Sequence, residues 1–249
     1  MRTSFSKLGA AAVVLLGMAT SAQSGVRLDL TDVGAGINMF CDSTAFAACG
    51  AGFSLTASGG LRFEGTVGGF SVDTTSFSSN LPGTASAAIL NGSTTQITRT
   101  GSGQGDLRID LSGFGYTLPA GEFKTLRGRA SVTTSDETFG TGDLVFNQFI
   151  VDPGNGFPVV GDPTRVRSCT VTLIADSGNC STSVSVWQDA DLGTFSMRDV
   201  QLVRLTNGHT VNTTISGTVG RVPEPMTLSL VGVALLGVAA VARRRVNKA

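Results

Sequence analysis

Residues 126–132 read LRGRASV, and this stretch decides the fold class. Apolar or small residues alternate there with arginine or serine, so every second residue belongs to the same face. A period of two predicts a β-strand with one buried and one solvated face. The same step of two returns in 107–111, 169–173 and 211–219. The middle of the chain is therefore predicted to be built from strands.

Turn signals separate these alternating segments, and no sustained helical period lies between the two ends of the chain. Glycine-rich or Asn-Gly turns are predicted at 58–60, 91–92, 101–103, 152–156 and 207–208. Residues 82–105 are small, polar and nearly uncharged, which predicts a long loop or a weak edge strand. About ten short strands in one domain indicate an all-β fold, an antiparallel β-sandwich or jelly roll spanning 23–221.

The charge of this central domain is hidden by the two ends. The chain has 249 residues, of which 18 are basic and 18 acidic. Six of the basic residues and none of the acidic ones lie in residues 1–22 and 226–249. The remainder, 12 basic against 18 acidic residues, gives residues 23–225 a formal charge of −6. An acidic surface repels a phosphate backbone, so nucleic acid is not an expected partner.

The first 22 residues have the pattern of a secretory signal peptide. Arg2 and Lys7 precede an apolar run over 8–19, and small residues follow at 20–22. A charged start, a short apolar centre and small residues before a cut predict cleavage after residue 22. A buried core helix is the alternative. The first cysteine is Cys41, too far from the cut for a lipid-anchored cysteine.

The last 28 residues combine a proline motif, an apolar run and a basic cluster. The apolar run 226–242 contains seventeen uncharged residues, and at about 1.5 Å per residue they would span roughly 25 Å, the short limit for a transmembrane helix. The prolines set its outer boundary, and the arginines keep the C-terminus in the cytoplasm. Residues 23–222 would then lie outside the inner membrane. The motif residues are Pro223, Glu224, Pro225, Arg243, Arg244 and Arg245.

Residues 222–249 resemble the PEP-CTERM sorting signal, in which the same three features lie at the extreme C-terminus. The resemblance covers this tail only, about a tenth of the chain. It implies recognition and processing by a membrane-embedded exosortase in a Gram-negative bacterium that makes exopolysaccharide. The expected route is transient anchoring in the inner membrane with the domain in the periplasm, then the cell surface or extracellular matrix. An ordinary membrane anchor that is never processed is the alternative.

Four cysteines in an exported domain predict disulfides, although four allow three pairings. The local pairing, Cys41–Cys49 with Cys169–Cys180, is the one predicted. Each bond closes a short loop, which stabilises the fold by about 2–3 kcal/mol in the chain-entropy model. A zinc site is the alternative, but the sequence has no C-x2-C pair to support it.

Candidate functional side chains are few, and no cofactor is implied. The only histidine, His209, follows a predicted turn and is expected to be a solvated loop residue. Asp189 and Asp191 would share a face of an extended segment. A solvated turn is the favoured interpretation, and weak calcium ligands or the acids of a glycoside hydrolase are the alternatives. Trp187 is the best candidate for stacking on a sugar, with a buried core tryptophan as the alternative.

These observations favour a non-enzymatic surface or matrix protein, because a complete targeting apparatus surrounds a domain without a catalytic cluster. A carbohydrate-binding module that uses Trp187 is the first alternative. A glycoside hydrolase-like enzyme that uses Asp189 or Asp191 is the second.

Overall fold

The computed structural model describes residues 25–79, 83–84, 87–118, 123–134, 142–153, 166–172, 177–182, 185–188 and 194–221. The predicted signal peptide, 1–22, lies outside these residues. So do the sorting motif, the apolar run 226–242 and the arginine cluster 243–245. Within the described ranges, no helix combines the length and the apolar character needed to cross a bilayer.

Strands dominate the described residues, and the one short helix is of the 3-10 type, Ser43–Ala48. The strands are β1 Gly25–Asp32, β2 Ile37–Asp42, β3 Phe53–Leu55, β4 Leu61–Val67, β5 Phe70–Ser79, β6 Ala87–Arg99, β7 Gly105–Thr117, β8 Phe123–Thr134, β9 Leu144–Pro153, β10 Val166–Thr172, β11 Ser177–Ser181, β12 Ser185–Gln188, β13 Thr194–Leu205 and β14 Thr210–Arg221.

The strands form two antiparallel sheets. The smaller sheet has the order β10-β9-β13-β7-β1-β2, and the larger has the order β11-β8-β14-β6-β5-β4-β3, with β12 pairing to β8 beyond the end of β11. Apolar side chains from both sheets form one buried cluster between them. The predicted all-β, antiparallel sandwich is therefore confirmed.

The alternation in residues 126–132 corresponds to one buried and one exposed face of β8, as predicted. On β8, Leu126, Ala130 and Val132 are buried, whereas Arg127 and Arg129 are exposed. Burial of one apolar face per strand is the main stabilising term for such a sheet. The predicted turns at 101–103 and 207–208 are also present, as breaks between consecutive strands.

The prediction for residues 82–105 was wrong. Residues 87–99 form β6, a thirteen-residue strand inside the larger sheet between β14 and β5. Asn91-Gly92, predicted as a turn, lies in the middle of this strand. The segment buries Ala88, Leu90 and Ile97 on one face, and the other face carries Asn91, Ser93 and Thr98 together with Ile89. Low charge and small side chains suit a central strand covered on both edges, a context that composition does not show.

Two glycines let the sheets approach closely at the centre of the sandwich. Gly128 of β8 pairs with Gly217 of β14 in the larger sheet. Phe149 of β9 pairs with Asp199 of β13 in the smaller sheet. A Cβ at position 128 would lie 2.0 Å from Phe149 Cδ2, and one at 217 would lie 2.4 Å from Asp199 Oδ1. The ring of Phe149 and the carboxyl group of Asp199 therefore pack directly against the backbone of these two glycines.

Both predicted disulfides are present, and the described residues include no free cysteine. Cys169 on β10 and Cys180 on β11 join the edge of the smaller sheet to the edge of the larger one. Cys41 on β2 bonds to Cys49, which lies between the 3-10 helix and β3. The Cys169–Cys180 bond therefore links the two sheets, whereas the Cys41–Cys49 bond ties β2 to the segment between the 3-10 helix and β3.

Removing the disulfide that joins the sheets, with Cys169→Ala and Cys180→Ala, should lower the free energy of unfolding by about 2–3 kcal/mol. The bond closes a loop of 11 residues, and Asn147 Nδ2 lies 3.7 Å from Cys180 Sγ in the buried region beside it. Urea unfolding of the oxidised protein measures the change. The double variant Cys41→Ala, Cys49→Ala is the matched control for a loop of similar length, 8 residues. A loss below about 1 kcal/mol would show that the Cys169–Cys180 bond contributes little.

Candidate functional site

A shallow polar groove lies on the outer face of the larger sheet, where β11, β8 and β14 run side by side. Its volume is about 640 Å³. The described residues that line it are Arg127, Gly128, Arg129, Ala130, Ser131, Asn179, Cys180, Ser181, Thr182, Thr214 and Ser216. The groove therefore combines two guanidinium groups with hydroxyl and amide groups.

Strand register sets the groove side chains in rows across the sheet. Arg129 of β8 lies between Ser181 of β11 and Ser216 of β14. In the next row, Ser131 lies between Asn179 and Thr214. Directly opposed residues in an antiparallel pair share a face, so each row presents its polar groups to the same side.

Hydrogen bonds hold part of this surface in place. Ser131 Oγ and Thr214 Oγ1 lie 2.6 Å apart, and Ser216 Oγ donates to Asn91 Oδ1 of β6 at 2.5 Å. Thr182 extends the pairing past β11, because its N–H donates to the Gly128 carbonyl and its Oγ1 accepts from the Gly128 N–H, each at 3.0 Å. The floor is a continuous hydrogen-bonded sheet rather than a loop.

The two groove arginines differ from most others in the described part of the chain. Six arginines lie within 4 Å of a carboxylate oxygen: Arg27, Arg62, Arg99, Arg108, Arg198 and Arg204. The side chains of Arg127 and Arg129 make no ion pair or hydrogen bond with any described residue, and both are exposed. The outward positions of β8, β11 and β14 carry no carboxylate. Among the described residues, no carboxylate therefore compensates the positive charge on this face.

On the opposite outer face, which belongs to the smaller sheet, the arginines form ion pairs with aspartates. Asp29 of β1 lies opposite Asp110 of β7. Arg27 Nε donates to Asp29 at 2.8 Å, and Arg108 Nη2 donates to Asp110 at 2.8 Å. Arg198 also binds Asp110, with Nε donating at 2.5 Å. The hydrogen bond to Asp110 is the main cause that raises the pKa of Arg198. Every arginine of this cluster therefore binds an aspartate.

His209 is not the solvated residue that the sequence predicted. Its side chain is 21% exposed, and Nδ1 lies 2.6 Å from Oδ2 of the buried Asp143. The other Asp143 oxygen accepts from the N–H and the hydroxyl of Thr206, at 2.9 and 2.8 Å. The pair fastens the β13–β14 turn to the start of β9. The sequence prediction missed it because Asp143 and His209 are 66 positions apart.

Of the predicted ligand contacts Trp187, Asp189 and Asp191, the structure describes only the backbone of Trp187. On β12, its backbone lies opposite Lys124, a buried residue of β8. The Trp187 side chain, Asp189 and Asp191 lie outside the described residues, so the groove was found without them. Among the residues described, no group of three His, Cys, Asp or Glu side chains could hold a metal ion.

Comparison with known proteins gives no family. No family model matches the chain, and no curated protein matches it. Among solved structures, the module TmCBM61 in complex with β-1,4-galactotriose matches 56% of this chain and 85% of its own, at 11% identity and a TM-score of 0.26. A structure described as showing the promiscuous specificity of carbohydrate-binding modules from the β-sandwich superfamily matches 78% of this chain and 72% of its own, at 15% identity and a TM-score of 0.27.

A third structure, the mannan-recognising carbohydrate-binding module TmCBM27, matches 62% of this chain and 90% of its own, at 9% identity and a TM-score of 0.26. Similarities of this size carry no argument about the function of this chain.

Proposed function

We propose that this chain is an exported, non-enzymatic surface or matrix protein whose β-sandwich binds extracellular polysaccharide in the groove formed by β8, β11 and β14. The observation that carries the proposal is the groove itself, a rigid floor of paired strands that presents rows of hydroxyl, amide and guanidinium groups.

The lining suits a polyhydroxylated chain. Serine and threonine hydroxyls donate and accept hydrogen bonds, and the Asn179 amide does both as well. Sugar hydroxyls offer the same two functions, so each row could bond one stretch of a polysaccharide. Because neighbouring strands are about 4.8 Å apart, the three strands present a surface about 10 Å wide. A shallow groove open to solvent accepts an internal segment of a long polymer.

Binding, rather than turnover, is favoured by the residue types. The described lining has no carboxylate, histidine, lysine or tyrosine that could act as an acid, base or nucleophile. The hydrolase alternative depends on Asp189 and Asp191, and no described residue supports it.

Export is supported by the sequence and is consistent with the disulfides. The predicted signal peptide would direct the domain across the inner membrane, and the PEP-CTERM-like tail would anchor it there until an exosortase-type enzyme processes the tail. Two disulfides suit an oxidising compartment such as the periplasm. The intact mass of protein recovered from the producing cells tests this step, since retention of residues 1–22 would contradict export.

The groove can be tested with matched pairs of edge-strand variants. Asn179→Ala with Ser181→Ala removes two exposed polar side chains from β11, and binding of the full chain to a panel of immobilised polysaccharides should fall about tenfold. Ser168→Ala with Thr170→Ala makes the same kind of change on β10 of the other sheet and should leave binding within about twofold.

Trp187→Ala tests the contact predicted from the sequence, and unchanged binding would remove it from the site. Equal loss in the β10 and β11 variants would place the ligand elsewhere. Turnover of a glycoside, ester or peptide that a single point mutation abolishes would refute the non-enzymatic function.

A further inference from the structure

We infer that the polymer bound in this groove is anionic, a polysaccharide bearing carboxylate or sulfate groups that Arg127 and Arg129 bind. The inference rests on the proposed function and narrows its ligand class. Its basis is the pair of arginines that have no partner in the described structure.

The arginines are placed to act together. Positions 127 and 129 lie on the same face of β8, about 7 Å apart along the strand. Their guanidinium groups repel each other, and the described surroundings offer no carboxylate to offset this repulsion. A planar guanidinium forms two parallel hydrogen bonds with a carboxylate or sulfate, which are stronger than bonds between neutral groups. Anions repeated along a polymer would relieve the repulsion at both positions.

The rest of the domain makes this local charge unusual. Residues 23–225 have a formal charge of −6, yet the outward face of β8, β11 and β14 carries arginine without acid in the residues described. Six other described arginines lie beside an aspartate or glutamate, as Arg204 does beside Asp106 with Nε donating at 2.7 Å. An unpaired positive patch on an acidic domain is a selective anion site, because the surrounding charge weakens non-specific attraction.

The lining favours an acidic glycan over a nucleic acid. A nucleic acid carries a dense array of phosphates that the acidic domain repels, and single strands are usually held by aromatic stacking platforms. The described lining contains no aromatic side chain. Hydroxyls and an amide beside two arginines instead match sugar hydroxyls interspersed with acidic groups.

The test compares charged and neutral polymers that share a backbone. The full chain is titrated with polygalacturonate and its carboxyl-reduced form, and separately with dextran sulfate and dextran. The first pair tests whether a carboxylate is recognised, and the second tests whether a sulfate is recognised. Arg127→Gln with Arg129→Gln removes the charges and keeps hydrogen-bonding groups. Arg62→Gln is the control, since Arg62 lies on β4 of the same sheet and pairs with Glu64 at 3.0 Å.

The expected result is that at least one charged polymer binds more tightly than its neutral form, with an affinity that falls as salt is added. The double variant should lose about tenfold in affinity for it, while Arg62→Gln changes affinity less than about twofold. Thermal unfolding of each variant establishes that the fold is retained.

Failure of this inference differs from failure of the proposed function. Suppose that neutral and charged polymers bind equally, that the arginine variant leaves this binding unchanged, and that Asn179→Ala with Ser181→Ala reduces it. This result would overturn the anionic ligand and leave the proposed function standing. If neither groove variant changes the binding, or if no polymer binds at all, the anionic ligand and the proposed function are both overturned. An equal arginine-dependent affinity for a single-stranded oligonucleotide overturns the assignment to a glycan.

Discussion

The Asp199→Asn variant should be more stable than the native chain by a margin that grows as the pH rises above the ordinary carboxyl pKa of 3.8. Asp199 is 2% exposed and lies under Gly217 at the centre of the sandwich. No described residue forms a hydrogen bond with its Oδ2 atom. Burial raises the pKa of this carboxyl well above its usual value, the negative charge of Asp110 raises it further, and the Gly217 N–H opposes the rise.

The sign of the effect follows from which state loses the proton first. In the unfolded chain Asp199 ionises near its ordinary pKa of 3.8, whereas in the folded chain it stays protonated to higher pH. Folding must then take up a proton, so this group's contribution to stability falls by about 1.4 kcal/mol for each pH unit between the two pKa values. Asparagine keeps an acceptor for the Gly217 N–H and cannot ionise, which removes this slope.

Urea unfolding at a series of pH values measures the difference between the two proteins. Asp32→Asn is the control of opposite sign. Burial opposes ionisation of Asp32, but hydrogen bonds from the Gly69 and Ala35 N–H groups and the charge of Arg99 outweigh it and lower its pKa. Its contribution is present above the unfolded pKa and is lost as the pH falls, so Asp32→Asn should destabilise at neutral pH. A difference between native and Asp199→Asn proteins that does not change with pH would show that Asp199 is already ionised in the core.

The sequence predicted the sheets well wherever one face is apolar and the other polar. Residues 126–132 show this directly, and so do the local disulfides, since short spacing limits the choice of partner. The prediction failed for β6, where small polar residues give no contrast between faces. In that strand burial is decided by the neighbours β5 and β14, which the local composition cannot report.

The groove could be predicted only in part. The motif Arg127-Gly128-Arg129 places two like charges on one face, whereas Arg108-Ile109-Asp110 places opposite charges there. That contrast is readable from the sequence because residues two apart share a face. The rows that bring Ser181 and Ser216 beside Arg129 depend on register between segments separated by 52 and 87 positions. Nothing local encodes that register, so the residues that lie beside Arg129 could not be predicted.

Gly128→Val should lower the free energy of unfolding by more than about 3 kcal/mol, above the usual cost of overpacking a core. A Cβ at this position would lie 2.0 Å from Cδ2 and 2.2 Å from Cε2 of Phe149, which is fully buried. The ring has no solvent to move into, and β8 is paired on both edges, so the two sheets must separate. Denaturant unfolding measures the loss.

A double-mutant cycle identifies the cause of that loss. Phe149→Ala alone should cost about 3–5 kcal/mol through the cavity it leaves. When Phe149→Ala is combined with Gly128→Val, the added valine side chain fills part of that cavity. The double variant should therefore lose less unfolding free energy than the two single losses added together, by more than about 1 kcal/mol. Gly50→Ala, whose Cβ would meet only Met39 Cε at 4.0 Å, is the control for adding a side chain to a glycine. Additive losses at 128 and 149 would mean that the ring does not rest on Gly128. Because Arg127 and Arg129 flank this glycine and face the other way, the same contact that holds the sheets together fixes the strand that carries both groove arginines.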